Sequence, residues 1–310
     1  MRDNISQRAR WLACAVAAAL AAAALRWWQL SSAFEPPLGL HIPGAQASVI
    51  LVCVLVMAAA GLAILALPRG GRQPGREYRW DLLFLNTGEL VYPALAVLAA
   101  FFALGAAPFL LKMGLSQWQD YQQARAALAQ GMEVKLPSNN GMLAIATAVG
   151  ALASFLGLLQ LGRDGLRPGK RGRGGFSAAL PGVAGCVWLM ESFRAHAANP
   201  VLWDYGPLLL SIVCGMLFYM DFAGLSAGAP RPRRLLWMAG MTLILSAAAL
   251  VSALAGGTWA DVLLLLSQML AAGGVLWRLS PGLENPPITK AKPRPQTPGA
   301  GSIQEETTHE

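Results

Sequence analysis

Eight stretches of the chain, each about 20 residues long, are almost wholly apolar, and short polar connections separate them. They cover residues 11–28, 47–67, 92–111, 141–161, 177–197, 207–228, 235–255 and 260–279. This succession constrains the fold more than any motif does, because about 20 helical apolar residues cross the roughly 30 Å hydrocarbon core of a bilayer. In lipid, each backbone N–H and C=O must be satisfied within the structure, and a helix does this inside a single segment. A spanning β-barrel would show apolar and polar residues alternating over strands of about ten residues, a pattern these blocks lack. The expected fold class is all-α: a polytopic integral membrane helix bundle of about eight transmembrane helices. Composition agrees. Of 310 residues, 55% are hydrophobic and 13% charged, with a mean hydropathy of +0.47, whereas soluble domains carry about 25% charged residues.

The charges in the connections supply an orientation. Lys and Arg gather before the first block (Arg2, Arg8, Arg10), in the second connection (Arg69, Arg72, Arg76, Arg79), the fourth (Arg163, Arg167, Lys170, Arg171, Arg173), the sixth (Arg231, Arg233, Arg234) and around the tail (Arg278, Lys290, Lys292, Arg294). The other connections hold only Arg26, Lys112, Arg125, Lys135 and Arg194. Cytoplasmic loops are the Lys/Arg-rich ones, so both termini are expected in the cytoplasm. The net charge of +8 is thereby topogenic; the basic residues form no single face and no aromatic-interleaved patch of the kind that binds nucleic acid. Residues 1–25 also resemble a cleaved signal peptide, which would leave seven spans, but Arg26–Trp28 beyond them reads as an interfacial anchor on a retained helix. The Arg- and Ala-heavy composition points to a bacterial plasma membrane.

Between the blocks, residues 81–91 lead into the third span as an inner-surface helix, with Glu89 at the interface. In the longest connection, Trp118, Tyr121, Leu128 and Met132 recur at near-helical spacing, which predicts an amphipathic helix lying on the outer surface. The basic run at Arg163, Arg167, Lys170, Arg171 and Arg173 is a candidate contact for anionic lipid, although orientation by charge alone accounts for it. The expected organisation is a bundle over residues 1–279 followed by a disordered cytoplasmic tail, 280–310, rich in Pro, Gly, Thr and Glu. Small residues at packing intervals (Ala146, Gly150 and Ser154; Ser246 and Ala249; Ala271 and Gly274) predict close helix contacts.

Chemistry is sparse. Zincin, nucleophile-elbow and dinucleotide-binding motifs are missing. His41, His196 and His309 lie far apart, and Cys14, Cys53, Cys186 and Cys214 sit singly in apolar blocks. No metal, cofactor or disulfide framework is therefore expected. The main candidate is "WLMESFRAHAANPVLWDY", residues 188–205, with Glu191, Arg194, His196 and Asp204. Counting from residue 177, Glu191 stands about 21 Å along its helix, in the outer third of the core. Arg194, at i+3, is its expected ion-pair partner on the same face. Pro200 is expected to stop one helix and Pro207 to open the next. Secondary candidates are Glu89, Asp221 (expected to face Arg231–Arg234) and Gln268 in the last span. The favoured function is an accessory, scaffolding or regulatory membrane component with a membrane-protein partner. The alternative is a small-solute transporter with an outward polar vestibule at the end of the fifth span. An enzyme is disfavoured for want of a catalytic set.

Overall fold

The computed structural model describes residues 2–35, 40–42, 44–66, 83–84, 89–130, 132, 141–166, 174–197, 201–229 and 231–279. Eight long helices run through them: α1 (Arg2–Ser32), α2 (Gln46–Ala66), α3 (Val91–Ala129), α4 (Gly141–Leu166), α5 (Gly174–His196), α6 (Leu202–Ser226), α7 (Pro232–Ala255) and α8 (Trp259–Leu279). All eight are long and apolar enough to cross a membrane, as a multi-pass all-α protein requires. Two short strands, β1 (Phe34–Glu35) and β2 (Leu40–His41), pair antiparallel between α1 and α2. The tail 280–310, the basic residues Arg69–Arg79, and Arg167, Lys170, Arg171, Arg173 and Pro200 lie outside the described residues.

Successive helices alternate in direction, so two ends can be told apart by the contacts between them. At the proximal end, where α8 finishes, Arg278 meets Glu89 just before α3, and Asp221 of α6 meets Arg234 of α7. At the distal end, Arg26 of α1 meets Ser252 of α7, and Trp188 of α5 meets Asp261 of α8. Each helix from α3 to α8 packs on the next, and α8 returns onto α3, closing a six-helix circuit. The α1–α2 pair sits outside it, docked mainly on α7. Sandwiched between that pair and the circuit, α7 is the most enclosed helix, with 72% of its apolar window buried; α2 has 11% buried and turns most of its surface outward.

Contact distance is set by small residues. Where α3 crosses α4, a Cβ on Gly114 would lie 2.8 Å from the carbonyl oxygen of Gly141, and one on Gly141 would lie 2.7 Å from the backbone nitrogen of Trp118. Two backbones approach this closely only without side chains between them. The buried face of α4 runs through Gly141, Ala144, Ala148, Ala151, Ser154 and Leu158. Of the expected Ala146–Gly150–Ser154 stripe, Ala146 faces outward, whereas Gly150 packs closely on Ala184 of α5 and Ser154 is buried. Ser246, Ala249, Ala271 and Gly274 are all buried.

Two expectations about connections change. The helix predicted to lie on the outer surface is instead the unbroken continuation of α3, which runs 39 residues through Pro108 to Ala129. At 1.5 Å per residue that is about 58 Å, nearly twice the hydrocarbon thickness. Lys112 and Gly114 follow residue 111, but Gly114 stays helical at the α4 crossing and the backbone ladder propagates beyond the apolar part. Similarly, α6 starts at Leu202 and Pro207 lies inside its second turn rather than opening it.

We expect Gly114→Ala to lower the melting temperature in detergent, at a cost of about 1–3 kcal/mol from overpacking. On α2, by contrast, a Cβ on Gly61 would meet nothing within 4 Å; Gly61→Ala should leave melting unchanged or raise it slightly. Equal melting of the two variants would contradict the crossing geometry.

Candidate functional site

Two polar clusters lie at the distal end of the bundle, with a cavity beneath one of them. In the first cluster, Arg26 and Gln29 continue the stripe of Ala15, Ala19 and Ala22 along α1, and all five are buried. The Arg26 guanidinium is fully buried. Its Nε donates to Ser252 Oγ on α7 (2.8 Å), its Nη1 to Gln29 Oε1 (2.6 Å), and its Nη2 to the Asp204 carbonyl at the start of α6 (3.0 Å). Gln29 Nε2 in turn donates to Ser48 Oγ of α2 (2.7 Å), which also bonds His41 Nε2 (2.7 Å). The His41 ring stacks on Trp203 at 5.6 Å. One side chain thus ties α1 to α6 and α7, and through Gln29 to α2. A charge this deep is stable because its fork is met by several acceptors at once. The sequence places Arg26 in a connection; in the structure it is a buried cross-link.

The second cluster contains the principal sequence candidate. Glu191 is 7% exposed on the inward face of α5, whereas Arg194 is exposed. The two form no ion pair among the described residues. The charged group facing Glu191 is instead Asp261, at the start of α8. Asp261 Oδ1 accepts from the indole Nε1 of Trp188, one turn before Glu191 (3.0 Å). His196 takes its own place at the end of α5: its Nδ1 lies 2.8 Å from the Ser192 carbonyl, and its ring stacks on Tyr205 at 5.2 Å. Asp204 is an exposed residue that enters the Arg26 network through its backbone carbonyl. Residues 188–205 are therefore divided: Trp188 and Glu191 face α8, Asp204 faces α1, and Arg194 faces outward. Nothing in the pattern of one helix announces Asp261, because its meaning depends on side chains of α5 and α8 meeting across the circuit.

Below Trp188 lies a cavity of about 40 Å³. Thr147 and Ser154 of α4, Trp188, Tyr219 of α6, and Ser267 and Gln268 of α8 line it, among apolar neighbours. Gln268 stands seven residues after Asp261 on the same stripe of α8, about 10 Å deeper. Its Nε2 donates to the Ser211 carbonyl at 3.3 Å.

The remaining candidates lie at the proximal end. Asp221 Oδ2 is 2.9 Å from Arg234 Nε, and Glu89 Oε1 is 3.7 Å from Arg278 Nη1. Arg278 Nε also donates to the Leu83 carbonyl (2.5 Å). Leu83 and Phe84 are buried, with the Phe84 ring 5.2 Å from Tyr92 and 5.0 Å from Phe222, so this segment packs into the bundle end. Arg163 is exposed in the last turn of α4. Among the described residues no three His, Cys, Asp or Glu side chains gather as metal ligands. Comparison with protein-family models, curated proteins and solved structures finds no match to this chain.

Replacing Arg26 by Met leaves Gln29 Oε1, Ser252 Oγ and the Asp204 carbonyl without their shared donor. The expected cost is about 2–3 kcal/mol, at roughly 1 kcal/mol per orphaned group, read as a fall in melting temperature in detergent. Arg194→Lys should melt as the wild type does. An Arg26→Met protein as stable as wild type would mean that the cross-link does not hold the helices together.

Proposed function

We propose that this multi-pass membrane protein is a non-enzymatic assembly or scaffolding component that docks another membrane protein. The observation that carries the reading is the extension of α3. Residues 112–129 continue the helix about 27 Å past its apolar span, anchored at its base by the Gly114–Gly141 crossing. Leu115, Trp118 and Leu128 are exposed along it. A rigid helix presenting large apolar side chains beyond the bilayer is suited to contact with a partner. The bundle beneath offers less to a substrate: binding sites for organic ligands typically span about 300–1,000 Å³, against about 40 Å³ in the cavity.

In this reading the proximal end faces the cytoplasm of a bacterial plasma membrane. Arg163, Arg231, Arg233, Arg234 and Arg278 support that orientation by gathering at the proximal ends of their helices. The basic connection that begins with Arg163 would meet anionic headgroups. Extraction of the tagged chain in mild detergent should yield a stoichiometric membrane-protein partner. A Leu115→Ser, Trp118→Ser, Leu128→Ser variant should insert normally and lose that partner; retention at full stoichiometry would defeat the proposal.

A second reading, a small-solute permease with a vestibule at the distal end, is favoured by one observation: Glu191 is buried opposite a second carboxylate, directly above the cavity. It requires solute flux in proteoliposomes that Glu191→Gln abolishes while leaving the melting temperature intact. Equal flux in both proteins would dispose of it.

A further inference from the structure

Gln268 sits midway along α8, 6% exposed, and only half of its amide is satisfied. Its Nε2 reaches the Ser211 carbonyl at 3.3 Å, while its Oε1 has no hydrogen-bond partner. Turning the amide over offers no escape. The carbonyl of Ser211 can only accept, so the nitrogen must face it and the oxygen must face away. The Ser211 hydroxyl bonds Ser246 Oγ at 2.8 Å and is not a partner of Gln268 Oε1. An orphaned buried acceptor is destabilising, yet the surroundings make room for this one. A Cβ on Gly215 would overlap the Gln268 amide, so the glycine permits the side chain to lie across α6.

The space that Gln268 lines has room and chemistry for a small guest. Its volume of about 40 Å³ exceeds the roughly 10–15 Å³ that one water needs. Polar groups converge on it. Thr147 and Ser154 donate to the carbonyls of Leu143 and Gly150 on their own helix (2.9 Å each), which leaves their oxygens free to accept. Ser267 and Tyr219 bring further hydroxyls. A dry cavity is lined by hydrocarbon alone; a hydrated one offers two to four polar partners per water.

We propose that this cavity is a built-in site for small neutral hydrogen-bond donors, occupied by ordered water that donates to Gln268 Oε1. The site lies inside the α3–α8 circuit. The Trp188 indole forms its distal wall and hands its N–H to Asp261 on the other side. The water is held by α4, α6 and α8 together and completes the polar contacts that the protein leaves open. This inference is independent of the docking role assigned to α3.

In-situ hydroxyl-radical labelling by X-ray pulses tests it on the full-length protein in nanodiscs, because radicals formed from bound water oxidise the side chains beside it. Tyr219 and Trp188 line the site, whereas Phe218 and Phe222 are equally buried on α6 but do not. Tyr219 and Trp188 should label at least about tenfold faster than the two phenylalanines. In Gln268→Leu, which removes the acceptor but keeps the volume, that labelling should fall several-fold, with melting unchanged or raised and exposed Trp259 labelling as before. Gln268→Met serves equally if the leucine variant folds poorly. Tyr219 labelling no faster than Phe218 in the wild type overturns the proposal, as does wild-type labelling in both Gln268 variants. Added formamide separates the occupants: protection of Tyr219 relative to Trp259 identifies a site that small amides share, and no protection identifies one selective for water.

Discussion

Hydrocarbon gives helices almost no reward for hiding apolar side chains against one another, so this bundle depends on close contact and a few polar links. Both are concentrated on α7. Half of its buried residues are Ala, Gly, Ser or Thr. On one flank a Cβ on Gly240 would stand 2.7 Å from Leu62 of α2, and the Trp237 indole donates to the Ala59 carbonyl at 3.0 Å. On the other, Ser246 bonds Ser211 of α6. Ser252 takes the Arg26 guanidinium from α1. Remove this helix, and the α1–α2 pair has almost nothing to dock on while the six-helix circuit opens.

The polar groups divide according to how fully they are met. Arg26 is deep and satisfied, with three acceptors on three elements; its role is architectural, and its burial is stable because the fork finds partners in several directions. Gln268 is deep and incompletely met, with an orphaned oxygen, and Glu191 is deep and faces a second carboxylate. Buried polar groups nearly always have partners, so the exceptions mark where a protein leaves room for something else. Glu191 and Gln268 both flank Trp188, whose indole separates the distal acids from the cavity.

Much of the fold is legible in the chain. The eight apolar blocks and the eight helices agree to within a few residues at most ends, because the thickness of hydrocarbon dictates how long an apolar run must be. The extension of α3 escapes the sequence for a physical reason: a 3.6-residue period shows that a segment is helical, but not whether it continues the helix before it. The expected Glu191–Arg194 pair comes from treating α5 as an isolated helix, on which i and i+3 are neighbours. Packing changes that neighbourhood: the face carrying Glu191 turns into the bundle toward Asp261 of α8, and Arg194 is left outside. Arg26 reads as part of a connection because it follows the first apolar block. Its spacing from Ala15, Ala19 and Ala22, by threes and fours, is the available sign that it shares their face.

By itself, then, the sequence determined how many spanning helices form and which apolar run each contains, since those quantities follow from backbone satisfaction in lipid and from the length of each apolar run; how far α3 and α6 extend beyond their runs did not follow from it. It also marked the alternation of the connections through their basic residues. Only the tertiary structure decided which stripe of each helix turns inward and what it meets there. In blocks this uniformly apolar, lipid and neighbouring helix are nearly the same solvent for a Leu or an Ala, so periodicity carries little of that information. The partners of Arg26, Glu191 and Gln268 became defined when α6, α7 and α8 brought their own polar atoms alongside.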